Sequence, residues 1–166
     1  MLGRKSSRYA LLALVAVLGI VASFGVASAG HTNTVLETTL NGRNEVAADG
    51  SSRIAGDPDG KGEAYVFGVD NDATTLCYVL TAEGIGSATA AHIHEGAAGT
   101  NGPVVANLAA PADGNAADCL TEGETGKFAE GQTVAEILAN PRSYYVNVHN
   151  PAYPGGAIRG QLRPQR

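Results

Sequence analysis

The sequence predicts an all-β fold, an antiparallel, Greek-key-like sandwich of two sheets with one short helix. Three observations carry this reading: short runs of alternating apolar residues, Gly/Asp/Asn/Pro punctuation between them, and a single segment of helical spacing beyond the N-terminal region. The 166 residues include 22 Gly and 7 Pro, and 16% of them are charged. The glycines follow no every-third-residue period, which excludes collagen, and the low charged fraction argues against a charged, disordered chain. The length suits one domain rather than two.

Met1 to Ala29 stands apart from the rest. Arg4, Lys5 and Arg8 form a basic start, an apolar run extends from Tyr9 to Val26, and Ala27-Ser28-Ala29 supplies a small-residue cleavage site. The run is about as long as the ~18 residues that span a bilayer. The A-x-A pattern and the polar residues that follow at once favour a cleaved signal peptide over a permanent anchor. Residues 30–166 are then the exported domain. Loss of three basic residues leaves 8 Lys+Arg against 16 Asp+Glu, and the formal charge moves from −5 to −8. Such an acidic chain repels phosphate backbones and anionic membrane surfaces, so neither nucleic acid nor, after leader removal, a membrane is an expected partner.

Val35 to Leu40 is the first predicted strand. Glu63 to Val69 and Thr74 to Thr81 flank Asp70-Asn71-Asp72-Ala73 as a hairpin, with Leu76, Tyr78 and Leu80 on one face. Further strands are expected at Ser87 to His94, Val104 to Leu108, Ser143 to His149 and Ala157 to Leu162. Thr133 to Ala139 places Val134, Ile137 and Leu138 at helical spacing and ends at Asn140-Pro141, which predicts the short helix. Cys77 and Cys119 belong to an exported chain, where pairing is the default. Closing a loop of about 40 residues stabilises a fold by ~4 kcal/mol in the chain-entropy model.

The chemistry-bearing feature is His92-Ile93-His94. On a strand both imidazoles project to one face while Ala91 and Ile93 point to the other. In Tyr144 to His149, the residues Tyr145, Asn147 and His149 share the more polar face, so His149 can join the pair across a sheet. Three neutral imidazoles with an open fourth position suit copper or zinc. Asn147, and Arg159 with Gln161 from the next predicted strand, are candidates for supporting hydrogen bonds around those ligands. Histidines on solvent faces of strands are common, and H-x-H alone is a weak motif, so a purely structural role stays open. His31 follows the predicted cleavage site closely and would sit beside the new amino terminus, where a disordered tail is the plainer reading. The loop Glu95 to Pro103 lacks the Lys-Ser/Thr ending of a phosphate loop, and Asp57 to Glu63 fails the EF-hand pattern at Lys61 and Gly68.

Several segments together resemble the CHRD domain, the module named after chordin. They are Leu40-Asn41-Gly42-Arg43-Asn44-Glu45-Val46, Ala91-His92-Ile93-His94-Glu95-Gly96 with Gly99 to Val105, and Tyr145-Val146-Asn147-Val148-His149-Asn150 with Pro154 to Leu162. The resemblance runs from about Thr34 to Leu162. It implies a small secreted module without an assigned catalytic activity. Growth-factor binding, as in chordin-like proteins, is not carried over, because the cysteine-rich repeats that accompany it there are missing. H-x-H on a strand of an exported sandwich is also similar to the start of the copper site of Cu/Zn superoxide dismutase. Apart from His31, no fourth histidine remains to build a bridged copper-zinc pair, which argues against a dismutase. The leading expectation is a non-catalytic binding module with a three-histidine site. A metal-free structural or adhesive envelope protein is the alternative, and a mononuclear copper oxidoreductase is a third reading.

Overall fold

The computed structural model of the chain describes residues 34–49, 51 and 54–166; the expected leader and His31 lie outside the described residues. Among the described residues there are nine strands: β1 (Val35–Asn41), β2 (Lys61–Val69), β3 (Asp72–Thr81), β4 (Ala90–Glu95), β5 (Val104–Leu108), β6 (Asn115–Thr121), β7 (Tyr144–His149), β8 (Ile158–Gln161) and β9 (Arg163–Pro164). One α-helix among the described residues, α1 (Val134–Ala139), precedes β7. Every pairing is antiparallel.

The strands follow one hydrogen-bonded path, β5-β4-β7-β8-β1-β2-β3-β6, with β9 added beside β1. Ladder hydrogen bonds therefore draw no boundary between two sheets. The path curls instead, because its two halves share one core. Ala91, Ile93, Val146 and Val148 from β4 and β7 lie in the same buried cluster as Val66, Leu76, Tyr78 and Leu80 from β2 and β3. Burying each large aliphatic side chain contributes roughly 1.5–3 kcal/mol, so this shared interior is what holds the curl.

Local sequence explains the joints. β2 and β3 close as a hairpin in which Val69 faces Asp72, tighter than the four-residue turn expected from sequence. Asn71 adopts φ 64°, a left-handed conformation that asparagine tolerates better than most residues. At α1, the Thr133 hydroxyl accepts from the Glu136 N–H while the Glu136 carboxylate accepts from the Thr133 N–H, a reciprocal cap. Val134, Ile137 and Leu138 are buried, and α1 rests against β3 and β2. β6 was not expected from sequence. It faces β3 in a register that sets Cys119 opposite Cys77, and the two sulfurs are bonded with their Cα atoms 4.0 Å apart. No helix among the described residues is long and apolar enough to cross a membrane.

Candidate metal centre

Strand parity builds the site. In β4, Ala91 and Ile93 enter the core, which turns His92 and His94 to the outer face. β7 lies beside β4 with His92 opposite Asn147, His94 opposite Tyr145 and Ala90 opposite His149. His149 is thus the diagonal neighbour of His92, within reach of a ring-bearing side chain. The same parity in β8 directs Ile158 to the core, with Arg159 and Gln161 on the side opposite it. The histidines therefore sit on a second, polar layer outside the apolar core.

One ligand atom from each of His92, His94 and His149 lies within 4.8 Å of the others. Three nitrogens bound at ~2.0–2.1 Å to one tetrahedral ion lie about 3.3 Å apart. Closure on an ion thus needs side-chain movements of about an ångström, within the reach of small χ rotations. The ring centroids of His92 and His149 are 4.9 Å apart, those of His92 and His94 5.5 Å.

The hydrogen bonds assign the ring protons. His94 Nδ1 donates to the Gly102 carbonyl at 2.9 Å, and His149 Nδ1 donates to the Pro154 carbonyl at 3.0 Å. Both rings are held as neutral tautomers with a lone pair on Nε2. His92 Nδ1 lies 3.0 Å from His149 Nε2, so His92 donates and His149 accepts. His94 Nε2 is buried and has no hydrogen-bond partner. His94 thus has one ring nitrogen tied to a backbone carbonyl and the other free, the arrangement that orients a histidine toward a metal.

The surroundings keep the rings neutral. Burial is the main cause that lowers His92 from its usual 6.5 to about 4, followed by the proximity of His149 and His94. Burial likewise lowers His94 and His149, partly opposed in each by the hydrogen bond to the backbone carbonyl. Neutral imidazole is the form that ligates a metal, so near neutral pH the rings need shed no net proton, although the His92 Nδ1–H that points at His149 must give way to the ion by a ring rotation or a change of tautomer.

Tyr145 forms one wall. Its ring lies parallel to that of His94, with centroids 4.8 Å apart. The Arg159 guanidinium covers the Tyr145 ring at 3.3 Å from its centroid. Arg159 is 2% exposed and donates to Asn101 Oδ1, the Ala97 carbonyl and the Thr100 carbonyl, which fastens the 96–103 loop over the layer. The Tyr145 hydroxyl accepts from the Gly102 N–H. A Cβ at Gly102 would collide with the Glu95 carbonyl, so glycine lets the carbonyl that orients His94 approach closely.

The residues predicted to support the ligands share this layer but act through other partners. Asn147 donates to Glu45 Oε1 at 2.7 Å, and both side chains are buried. Burial raises the Glu45 carboxyl from 4.5 to about 8, against the pull of Arg159 and of a hydrogen bond from the Val46 backbone. Gln161 donates to the carbonyls of Gly96, Arg142 and Tyr144. Arg159 reaches His94 only across Tyr145. Sequence reasoning missed Tyr145 and Glu45 as members of the site; the polar parity of β7 pointed to Tyr145, whereas nothing local marked Glu45. A cleft of about 540 Å³ is lined by Arg43, Glu45, Ile54, Arg159 and Gln161, and no histidine borders it.

No curated protein and no solved structure matches the chain. The family model of the CHRD domain matches residues 36–162, which takes in every strand bearing the histidine layer, and the chain belongs to that family.

Proposed function

We propose that this protein is a secreted, non-catalytic binding module whose outer-layer cluster of His92, His94 and His149 holds one copper or zinc ion. In this reading Met1 to Ala29 is a signal peptide, removed on export, and residues 30–166 are the working domain, a Greek-key-like sandwich whose two halves stack across the shared core. The disulfide is compatible with an oxidising compartment. The observation that carries the metal assignment is the convergence of three imidazoles, two of which have Nδ1 tied to the Gly102 and Pro154 carbonyls so that Nε2 carries the lone pair, free in His94 and accepting from His92 in His149.

Anaerobic titration of the purified protein with Cu(II) and Zn(II), against a variant carrying His92→Ala, His94→Ala and His149→Ala, tests the assignment. One ion should bind per chain and the variant should lose it. Equal binding by both proteins would refute the metal assignment.

One observation favours a second reading, a structural or adhesive module without metal. The His92–His149 hydrogen bond links two of the rings without an ion. That reading predicts a melting temperature indifferent to chelator, whereas a metal site predicts a melting temperature that chelator lowers.

A further inference from the structure

An ion at the histidine cluster meets only neutral donors. His92, His94 and His149 form the group, with no carboxylate or thiolate joining them among the described residues. The carbonyls that orient the rings, those of Gly102 and Pro154, are already engaged by ring N–H groups. The positive charge of a bound ion is therefore not cancelled by its ligands.

A second positive charge is fixed nearby. Arg159 is buried, and its guanidinium lies on the Tyr145 ring, whose other face carries His94. Its acceptors, Asn101 Oδ1 and the Ala97 and Thr100 carbonyls, are all neutral. The ion pairs among the described residues are Lys127–Asp118 and Arg163–Glu37, and neither involves Arg159. The buried Glu45 carboxyl accepts from Asn147 rather than from the guanidinium.

Coulomb repulsion scales with the product of the charges, so Arg159 opposes a divalent ion twice as strongly as a monovalent one. Coordination number is compatible with this. Cu(I) can be satisfied by three nitrogens alone, whereas Zn(II) and Cu(II) take water or another donor to complete their sets.

We propose that the centre is a cuprous site, with Arg159, held against the far face of Tyr145, as the residue that sets its preference for Cu(I) over Cu(II) and Zn(II). The inference rests on the metal reading above. Arg159 is a positioning and charge-setting residue here, not a ligand.

The test is a set of chelator competitions on the purified protein, with Cu(I) under anaerobic conditions and with Cu(II) and Zn(II) separately, together with the midpoint potential of the copper-loaded protein. Cu(I) should bind about 100-fold more tightly than Cu(II), which at 59 mV per tenfold for a one-electron couple raises the midpoint by ~120 mV over the free ion. Arg159→Gln should lower the midpoint by roughly 60 mV, a tenfold narrowing of that gap, while Arg159→Lys keeps most of it. A merely structural role for Arg159 would weaken all three ions alike and leave the potential in place. Tighter binding of Cu(II) or Zn(II) than of Cu(I), with loss of that binding in the triple histidine variant, would overturn this inference and leave the metal reading standing. An unmoved potential in Arg159→Gln would overturn the role of Arg159. Binding of no ion beyond that of the triple variant would overturn both readings. The comparison of ions on the unmodified protein decides the preference even if the Arg159 variants fail to fold.

Discussion

Tyr145 lies face to face with His94, the planes inclined by 5° and the ring centroids 4.8 Å apart. The contact follows from register, since His94 and Tyr145 are direct partners across β4 and β7. Tyr145→Ala removes the shelf that fixes the His94 ring, and affinity for Cu(II) or Zn(II) should fall about 10- to 100-fold, as loss of an outer partner of a ligand does. Tyr145→Phe keeps the stack, losing only the acceptor for the Gly102 N–H, and should cost far less. Parallel titrations of the two variants check this.

Gly102→Ala inserts a methyl against the Glu95 carbonyl. Either the loop moves or β4 does, and in both cases the acceptor for His94 Nδ1 shifts. We expect a loss of stability of about 1–3 kcal/mol, typical of an overpacked site, together with weakened metal binding. Urea denaturation with and without Zn(II) reads both effects.

Stability of the chelator-treated protein should depend on pH through two opposed sets of groups, the lowered histidines His92, His94 and His149 and the raised carboxyl of Glu45. His92 is lowered from 6.5 to about 4, so its contribution is complete above 6.5 and is lost as pH falls toward 4. Glu45 is raised from 4.5 to about 8 while Arg159, the charged group facing it, opposes the rise. The native state therefore holds a proton that the unfolded chain has released, and that contribution, complete below 4.5, is lost as pH rises through 8. Between pH 6.5 and 8 the Glu45 slope dominates, and stability should decline by roughly 1–2 kcal/mol. Glu45→Gln keeps an uncharged partner for Asn147 and should flatten that decline. Denaturation series of both proteins across this range give the comparison.

The disulfide lies on β3 and β6, away from the histidine strands along the sheet path. Replacing Cys77 and Cys119 together by Ala should cost up to ~4 kcal/mol of stability. Metal affinity at temperatures where the variant stays folded should not change. Calorimetric melting and a Zn(II) titration separate the two quantities.

Much of the site is written in two short stretches of sequence. Alternation around Ile93 and around Val146 and Val148 places His92, His94, Asn147 and His149 on one face, and the structure has them there. Thr133, Glu136, Val134, Ile137 and Leu138 likewise mark α1 by cap and spacing. Other parts have no local signature. Glu45 meets Asn147 across 102 residues of chain, and Gly102 and Pro154 contribute backbone carbonyls, which any residue carries. β6 reads Asn-Ala-Ala-Asp-Cys-Leu-Thr, mostly exposed with only Leu120 buried, so alternation is too weak to announce it; the pairing with β3 holds it as a strand. The order of strands along one curled path is likewise set by long-range pairing, which strand-by-strand patterns do not contain.

Whether three imidazoles meet on one ion is read out by X-ray absorption of the metal-loaded protein. The Zn(II) form should show a first shell containing three imidazole nitrogens at ~2.0–2.1 Å, and the triple histidine variant should lose that scattering pattern. A shell with fewer than three imidazoles, or the same spectrum from the variant, would contradict the three-histidine centre.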